Sequence, residues 1–271
     1  ILTDPAFQAL LDRLRPMPLR GPDPLRVQGL HGPAKAFYLS LLFTQTDGFL
    51  IIVTPTEREA VDTARDMSFF LGPDRVLRYP SWDVVSTDLF AFQRDVELVR
   101  LEGLCRLLSP LPAVLILSMK ALMQKVLPRA VMETYQRVIS MGDMLDRDAL
   151  VETLLAGGYK RETLVEERGE FSVRGHVVDI FPSTEEQPFR LEFFGDELES
   201  IRTFDPSSQR STGEEVEFIL TPAREVILSE ERRQKAIGNI RARAGMLELS
   251  RMTRERLTEM IGNNLVSSIN P

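Results

Sequence analysis

Over roughly the first half of the chain, short apolar runs alternate with stripes of helical period. Leu50 to Val53 and Val114 to Leu117 are unbroken apolar runs of buried-strand length, and Leu25 to Gln28 and Val76 to Tyr79 are shorter strand candidates. Between them Ala60, Ala64, Met67 and Leu71 recur at helical spacing, and Leu98, Leu101, Cys105 and Leu108 do the same within Phe92 to Leu108. A first helix spans Asp4 to Leu14 and runs into a Pro- and Gly-rich linker from Pro16 to Pro24. Buried strands separated by helices predict a parallel sheet covered on both faces, an α/β layer.

The rhythm changes near Lys125. Tyr135 to Ile139 reads as a strand and Arg147 to Leu155 as a helix, with Asp146 as its N-cap and Gly157-Gly158 as its stop. Four strands then follow: Thr163 to Glu167, Val173 to Phe181, Phe189 to Phe194 and Leu198 to Phe204. The turns between them, Arg168-Gly169-Glu170, Pro182 to Pro188 and Gly195-Asp196-Glu197, are short enough to join antiparallel neighbours. Val216 to Leu220 is one more strand candidate, and Ser229 heads a helical stretch with Ala236, Ile240, Ala244 and Leu247 on its apolar side. The pattern predicts an α/β domain begun by residues 1–125, a small α+β domain at 126–215, and a return at 216–271 that ends in a helical extension.

Composition narrows the class. Of 271 residues, 43% are hydrophobic and 27% charged, which fits packed cores and excludes a disordered tail. No apolar run is long enough to span a bilayer, Cys105 has no internal partner, and the two histidines, His31 and His176, have no metal-ligand spacing with it. The expectation is a cytoplasmic protein without a membrane role, bound metal or cofactor. A chain that opens at Ile1 and stops at Pro271 soon after a helical pattern is expected to be a piece of a longer protein. Charge is uneven: residues 126–220 carry 10 basic and 20 acidic side chains, against 23 and 20 elsewhere. An acidic middle is a poor surface for nucleic acid.

The stretch from Gly29 to Ala36, between a strand candidate and a helix, comes close to the phosphate-cradling pattern G-x-x-x-x-G-K-[ST]. Gly29, Gly32 and Lys35 survive. Ala34 puts a Cβ where the backbone should wrap a phosphate, Ala36 lacks the hydroxyl that holds magnesium, and Pro33 deletes an N–H donor. The loop is therefore degenerate, and no cofactor site is expected from it. The acidic run Asp196-Glu197-Leu198-Glu199 falls at a hairpin turn rather than after a buried strand, so it does not complete an ATPase.

Other constellations are equally bland. Ser81 and Ser118 have no base at nucleophile spacing, and Glu166-Glu167 and Glu185-Glu186 are adjacent acids rather than a pair across a cleft. Trp82 reads as a packing anchor. No catalytic residue emerges.

One long stretch carries a resemblance. Glu167 to Pro182, with Arg168-Gly169-Glu170-Phe171, Arg174-Gly175-His176 and Phe181-Pro182, and Phe189 to Arg202, with Phe193-Phe194-Gly195-Asp196-Glu197, resemble the small domain shared by the repair helicase UvrB and the bacterial transcription-repair coupling factor (Mfd) family. The degenerate loop resembles the coupling-factor version, whereas UvrB keeps a Gly-Lys-Thr ending. UvrB also inserts an aromatic DNA-clamping hairpin after the region of Trp82, and here Asp88-Leu89-Phe90 runs almost at once into a helix. Phe204 to Ser211 is similar to the coupling-factor form of the next turn. The likeness reaches through nearly the whole chain, as the N-terminal UvrB-homology module of that family.

The resemblance implies a degenerate RecA-like domain with the small α+β domain inserted in it. It implies a non-catalytic docking module that binds UvrA and so recruits repair to a stalled RNA polymerase. The family's ATP-dependent DNA translocase and polymerase-binding parts lie elsewhere in the full protein, and its carboxy-terminal domain covers the same docking surface. Arg174 matches an Arg of the UvrA-facing surface, and Ser172 falls where UvrB carries another. Phe171 and Phe181 are aromatic candidates beside them, although strand alternation puts Phe171 with Val173 on the face opposite Ser172 and Arg174, so that at least one ring belongs to the core. Lys160 and Arg161 either extend the basic side or are solvated charges. The alternatives are a nucleotide-dependent, DNA-binding module of the UvrB type, or a structural module closing against other domains of its parent.

Overall fold

In this computed structural model the described residues are 3–14, 26–46, 48–82, 90–227 and 230–262. The linker from Pro16 to Pro24, Leu25, Asp88-Leu89 and the cap expected at Ser229 lie outside them. The chain groups into two compact units, Ile1–Ser81 with Arg106–Gln124, and Trp82–Cys105 with Lys125–Pro271. The second unit thus takes in most of a helix that the apolar pattern joins to the first, and everything from residue 125 onward.

The first unit begins with α1 (Pro5–Leu14), whose first turn is closed by the Asp4 carboxylate accepting the Phe7 N–H at 3.0 Å. It continues with α2 (Pro33–Thr44), β1 (Leu50–Thr54), α3 (Glu57–Leu71) and β2 (Val76–Tyr79). Residues 26–28 form no strand, so the expected strand feeding the Gly29 loop is absent there. Thr56 caps α3 by accepting the Glu59 N–H at 3.2 Å, and Glu57 and Glu59 in the first turn meet the positive end of the helix. Helix α4 (Phe90–Leu108) then leads to β3 (Val114–Ser118), and α5 (Met119–Leu122) follows. The three strands are parallel in the order β1-β3-β2, with Leu50 and Val76 both opposite Val114. All five residues of the central strand are buried. Ala36 and Phe43 of α2 and Ala60 and Met67 of α3 pack on Val114 and Ile116. On β1 the other face is open, with Ile51 and Val53 exposed, so the expected cover on both sides fails at this edge strand.

The second unit is mostly antiparallel. It contains α6 (Arg129–Tyr135), β4 (Arg137–Ser140), α7 (Arg147–Ala156), β5 (Lys160–Arg161), β6 (Glu170–Arg174), β7 (Val177–Ile180), β8 (Phe189–Phe194), β9 (Glu197–Phe204), β10 (Ser211–Glu215) and β11 (Glu217–Leu220). Helices α8 (Glu230–Met246) and α9 (Arg251–Gly262) replace the single long helix expected after Ser229, and Ser250 caps the second of them. Asp146 caps α7 as expected, accepting the Ala149 N–H at 2.8 Å. No strand forms over 163–167, and the run from Val173 to Phe181 is two strands rather than one. They meet at Gly175-His176, and β8 and β9 meet at Gly195-Asp196. In both turns the first residue alone has positive φ, 61° and 64°, which Gly adopts without strain and which suits a two-residue hairpin.

Six strands make one sheet, β10-β9-β8-β7-β6-β5, and β11 pairs with β4. Phe171, Val178, Ile180, Phe189, Leu191 and Ile201 share a core with Leu150 and Leu154 of α7 and with Ile139, Phe218 and Leu220 of the β4–β11 ribbon. Phe189 stacks on Phe218 at 4.3 Å between ring centroids. Within this unit the 90–105 stretch of α4 is tied down by charge. Arg100, with no exposed side-chain surface, donates Nε and Nη2 to the Glu225 carboxylate, each at 2.6 Å, and its guanidinium lies 5.2 Å from the Trp82 ring. Glu97 accepts from Arg94 and Arg224 at 2.9 Å, and Arg94 reaches the carbonyls of Ala223 and Arg168. Burial lowers the Arg94 pKa, with the nearby Arg224 acting in the same direction. Such a cluster contributes little net stability over an apolar equivalent, but removing one member strands a buried charge.

Candidate protein-docking face

Strand alternation gives the six-stranded sheet one apolar face, in the core, and one polar face turned away from it. Register fixes who stands beside whom on the polar face. Ser172 lies opposite Asp179, Asp179 opposite Arg190, and Arg190 opposite Arg202; the next row holds Arg174, Val177, Glu192 and Ser200.

Asp179 is the hub. Its side chain has no exposed surface, and it accepts Arg190 Nε at 2.8 Å and Arg190 Nη2 at 3.0 Å in a two-pronged pair. Arg174 Nη2 donates to the same carboxylate. Bonding to Asp179 holds the Arg190 guanidinium above the usual arginine range. The Arg190 fork also lies 4.6 Å from the Phe204 ring and donates to the Gln209 carbonyl. Arg174 differs: Nη2 is tethered to Asp179 while 46% of the side chain is exposed. Beyond it Glu192 accepts from Ser200 Oγ at 3.0 Å and pairs with Arg202 at 3.3 Å. With Glu214 opposite Arg202 on β10, three arginines stand among three carboxylates in these rows, a charge-balanced strip on an acidic segment.

The remaining expected contact residues are scattered. Phe171 has no exposed surface and belongs to the main core, because β6 turns it inward. Phe181 is 7% exposed and packs with Val165 and Phe204 in a satellite core, so neither ring is offered to a partner. Ser172 is on the polar face yet only 2% exposed, and its hydroxyl has no hydrogen-bond partner; a short side chain in the row where two arginines converge on Asp179 is left no solvent. Lys160 and Arg161 are both exposed, but pairing opposite Glu170 and Phe171 sends them to opposite faces, and only Lys160 shares the side of Arg174. Lys160 is paired with Glu162, whose hydrogen bond raises the Lys160 pKa.

Phe194 is the residue that the sequence reading missed. It is 77% exposed, on the polar face at the end of β8, opposite Glu197 across the hairpin. Glu197 is bridged on its other side by Met144, itself 76% exposed. The signal was available, since Phe189, Leu191 and Phe193 turning inward oblige Phe194 to turn outward. A cleft of about 350 Å³ opens beside the two hairpin turns, lined by Asp146, Arg147, Asp148, His176, Phe193, Gly195 and Asp196.

The degenerate loop forms no cradle. The Ala34 N–H bonds to the His31 carbonyl at 3.2 Å and the Lys35 N–H to the Gly32 carbonyl at 3.1 Å, so the amides that would receive a phosphate are turned back on the loop itself. Pro33 has no N–H to offer. Ala36 is 3% exposed and packs in the core of the first unit, while Gly29, His31 and Lys35 are exposed. No helix among the described residues is long and apolar enough to cross a membrane, and no metal-ligating group of side chains occurs among them.

Comparison with known proteins matches the sequence that builds this face to a family model. Residues 138–226, which include strands β5 to β11 and the polar face, match the family model described as UvrB interaction domain. The transcription-repair-coupling factor of Myxococcus xanthus is 41% identical over 239 residues, 85% of this chain and 20% of that protein. Those of Escherichia coli (strain K12) and Bacillus subtilis (strain 168) are 34% identical over 210 residues and 30% over 212, covering 77% and 78% of this chain and 18% of each relative. The chain spans about a fifth of the length of these relatives. An α/β chain with a UvrB interaction domain at its polar-faced sheet, alike to these proteins over most of its residues, belongs to the transcription-repair coupling factor family.

Proposed function

We propose that this segment is a non-catalytic docking module that binds UvrA through the polar face of the six-stranded sheet, and that the full protein uses it to bring excision repair to a stalled RNA polymerase. The observation that carries the reading is the half-exposed Arg174 fork, held by the buried Asp179 on the face that also carries the exposed ring of Phe194. A cation whose orientation is already set loses little entropy when it meets a partner carboxylate, and an exposed aromatic on the same face supplies apolar contact at small conformational cost. In the full-length protein the same face serves the carboxy-terminal domain as an internal partner, so that UvrA and that domain compete for it. The turned-back amides of the Gly29 to Ala36 loop support the absence of nucleotide chemistry in this segment.

Titration of the chain with purified UvrA tests the reading. Arg174→Glu is expected to weaken binding by roughly tenfold or more, equivalent to at least about 1.4 kcal/mol. The urea midpoint should fall as well, because a second carboxylate is brought toward the buried Asp179, but by less than full loss of the pair, since Asp179 keeps its two-pronged bond from Arg190; affinity is therefore read where the variant is fully folded. Unchanged affinity in the folded variant overturns Arg174 as the anchor.

A further inference from the structure

Beside the two hairpin turns, the cleft of about 350 Å³ has chemically uneven walls. Arg147 commits its whole guanidinium within the protein: Nη1 donates to the Gly175 carbonyl at 2.6 Å, and Nε and Nη2 donate to Asp148 at 3.1 and 2.8 Å. That pair cancels, so of the three aspartates lining the cleft Asp146 and Asp196 are left without a countercharge. Asp146 uses one oxygen to accept the Ala149 N–H. The Asp196 carboxylate and the His176 imidazole make no hydrogen bond or ion pair among the described residues. Phe193, 4% exposed, lines the cleft from the core side, and a Cβ placed on Gly175 or Gly195 would meet nothing within 4 Å, so both turns leave the mouth open.

We infer that this cleft is a socket for an arginine side chain of a protein partner. Its volume is of the class that encloses small organic groups, and its excess charge is negative. The acids do not converge as metal ligands do, since no metal-ligating group of side chains occurs among the described residues. A planar guanidinium with five donors spans acceptors that stand apart, and its flat face packs on an aromatic ring; a compact, strongly hydrated ammonium suits such spread acceptors less well. Position names the partner. Arg174 stands two residues before His176, and Phe194 immediately precedes Gly195, so a protein seated on the polar face reaches the cleft. The inference therefore rests on the docking reading for its partner, UvrA, though not for its cation preference. It adds a contact of opposite sign: the partner supplies a carboxylate to Arg174 and a guanidinium to Asp196, and two opposed contacts on one surface fix orientation as neither does alone.

The test has two arms. In the first, N-acetyl-arginine methylamide is titrated into the chain, with N-acetyl-citrulline methylamide as its uncharged isostere, while NMR follows the backbone amides of His176 and Gly195. The arginine probe is expected to give saturable shifts at millimolar concentration, the range for so small a ligand, citrulline none, and Asp196→Asn should abolish the response. Equal responses to the two probes, no response to arginine, or a full response in Asp196→Asn overturns the socket. In the second arm Asp196→Arg fills the socket from within and is expected to weaken UvrA binding by roughly tenfold. Its urea midpoint should stay close to native, because the Asp196 carboxylate has no partner among the described residues to lose. Asp196→Asn, of the same shape, should lose part of the affinity in the same titration. Native affinity in both folded variants overturns the assignment to the docked partner. A native chain that fails to bind UvrA at all refutes the docking reading and with it the partner named here, while the probe arm still decides whether the cleft prefers an arginine.

Discussion

Lys35 in the first unit and Arg174 in the second are both cations next to a glycine-containing turn, and the chain treats them differently. Around Lys35 the loop amides bond back to His31 and Gly32, and the ammonium is exposed with no acid fixing it among the described residues. Around Arg174 a buried carboxylate, Asp179, grips one nitrogen, a second arginine completes that carboxylate, and an exposed phenylalanine stands on the same face. A charge becomes a recognition group when its neighbours fix its direction while leaving part of it wet. A motif residue whose neighbours have turned away is only a solvated cation. The difference between the two regions is thus one of bracing, and bracing can be removed a piece at a time.

The largest effect is expected at the hub. Asp179→Ala leaves Arg190, 16% exposed, without its carboxylate and unties Arg174 as well. Breaking a buried pair from one side costs about 3–5 kcal/mol, read as a drop in the urea midpoint. UvrA affinity should fall too, even in conditions where the variant is fully folded, because the Arg174 fork has lost its direction. A variant with native stability would mean that the arginines find other partners, and the comparison with Lys35 would lose its basis.

Phe194→Ala comes next and separates binding from folding. A ring that is 77% exposed contributes little to the core, so the midpoint should move by no more than about 0.5 kcal/mol. An exposed aromatic on a docking face is expected to cost roughly 1–2 kcal/mol of UvrA affinity when truncated, measured by the same titration. Unchanged affinity would confine the face to its arginines.

How much of this was readable beforehand differs between the two regions for physical reasons. The strands Leu50–Thr54 and Val114–Ser118 and the helix Glu57–Leu71 announce themselves because burial imposes an apolar run or a helical period on them. Strand β10, Ser211–Glu215, carries no such mark: all five residues are exposed, and its existence comes from pairing with β9. The hairpin at Gly175-His176 was hidden because apolar alternation continues through it. Asp179 looked like one more acid in an acidic segment, and only the register with Ser172 and Arg190 reveals that it is buried between arginines. The placement of 90–105 with the second unit rests on Glu97 and Arg100, charged residues that an apolar pattern ignores. Sequence pattern reports burial well and charge pairing poorly, since a buried ion pair is written in the same letters as a solvated one.

Ser172 sharpens the point on a smaller scale. It shares the polar face, yet its hydroxyl is buried without a hydrogen-bond partner. Ser172→Ala removes a group whose desolvation is uncompensated, so stability should stay level or rise by up to about 1 kcal/mol, and UvrA affinity should not change. A loss of affinity would restore this position to the contact surface and redraw the face around it.

The smallest effect is expected at Lys35, where the comparison is most exposed to failure. If the loop has kept its outline without its chemistry, Lys35→Ala removes a solvated ammonium and nothing else, and both the urea midpoint and UvrA affinity should stay within about 0.5 kcal/mol of the native chain. Equilibrium dialysis with ATP and magnesium should give the same absence of binding for both chains, because Ala34, Ala36 and Pro33 have already removed the other parts of the cradle. Magnesium-dependent ATP binding that disappears in Lys35→Ala would show that exposure alone suffices for this cation to hold a phosphate, and the claim that bracing makes the difference would then fail at the residue where it ought to be easiest to uphold.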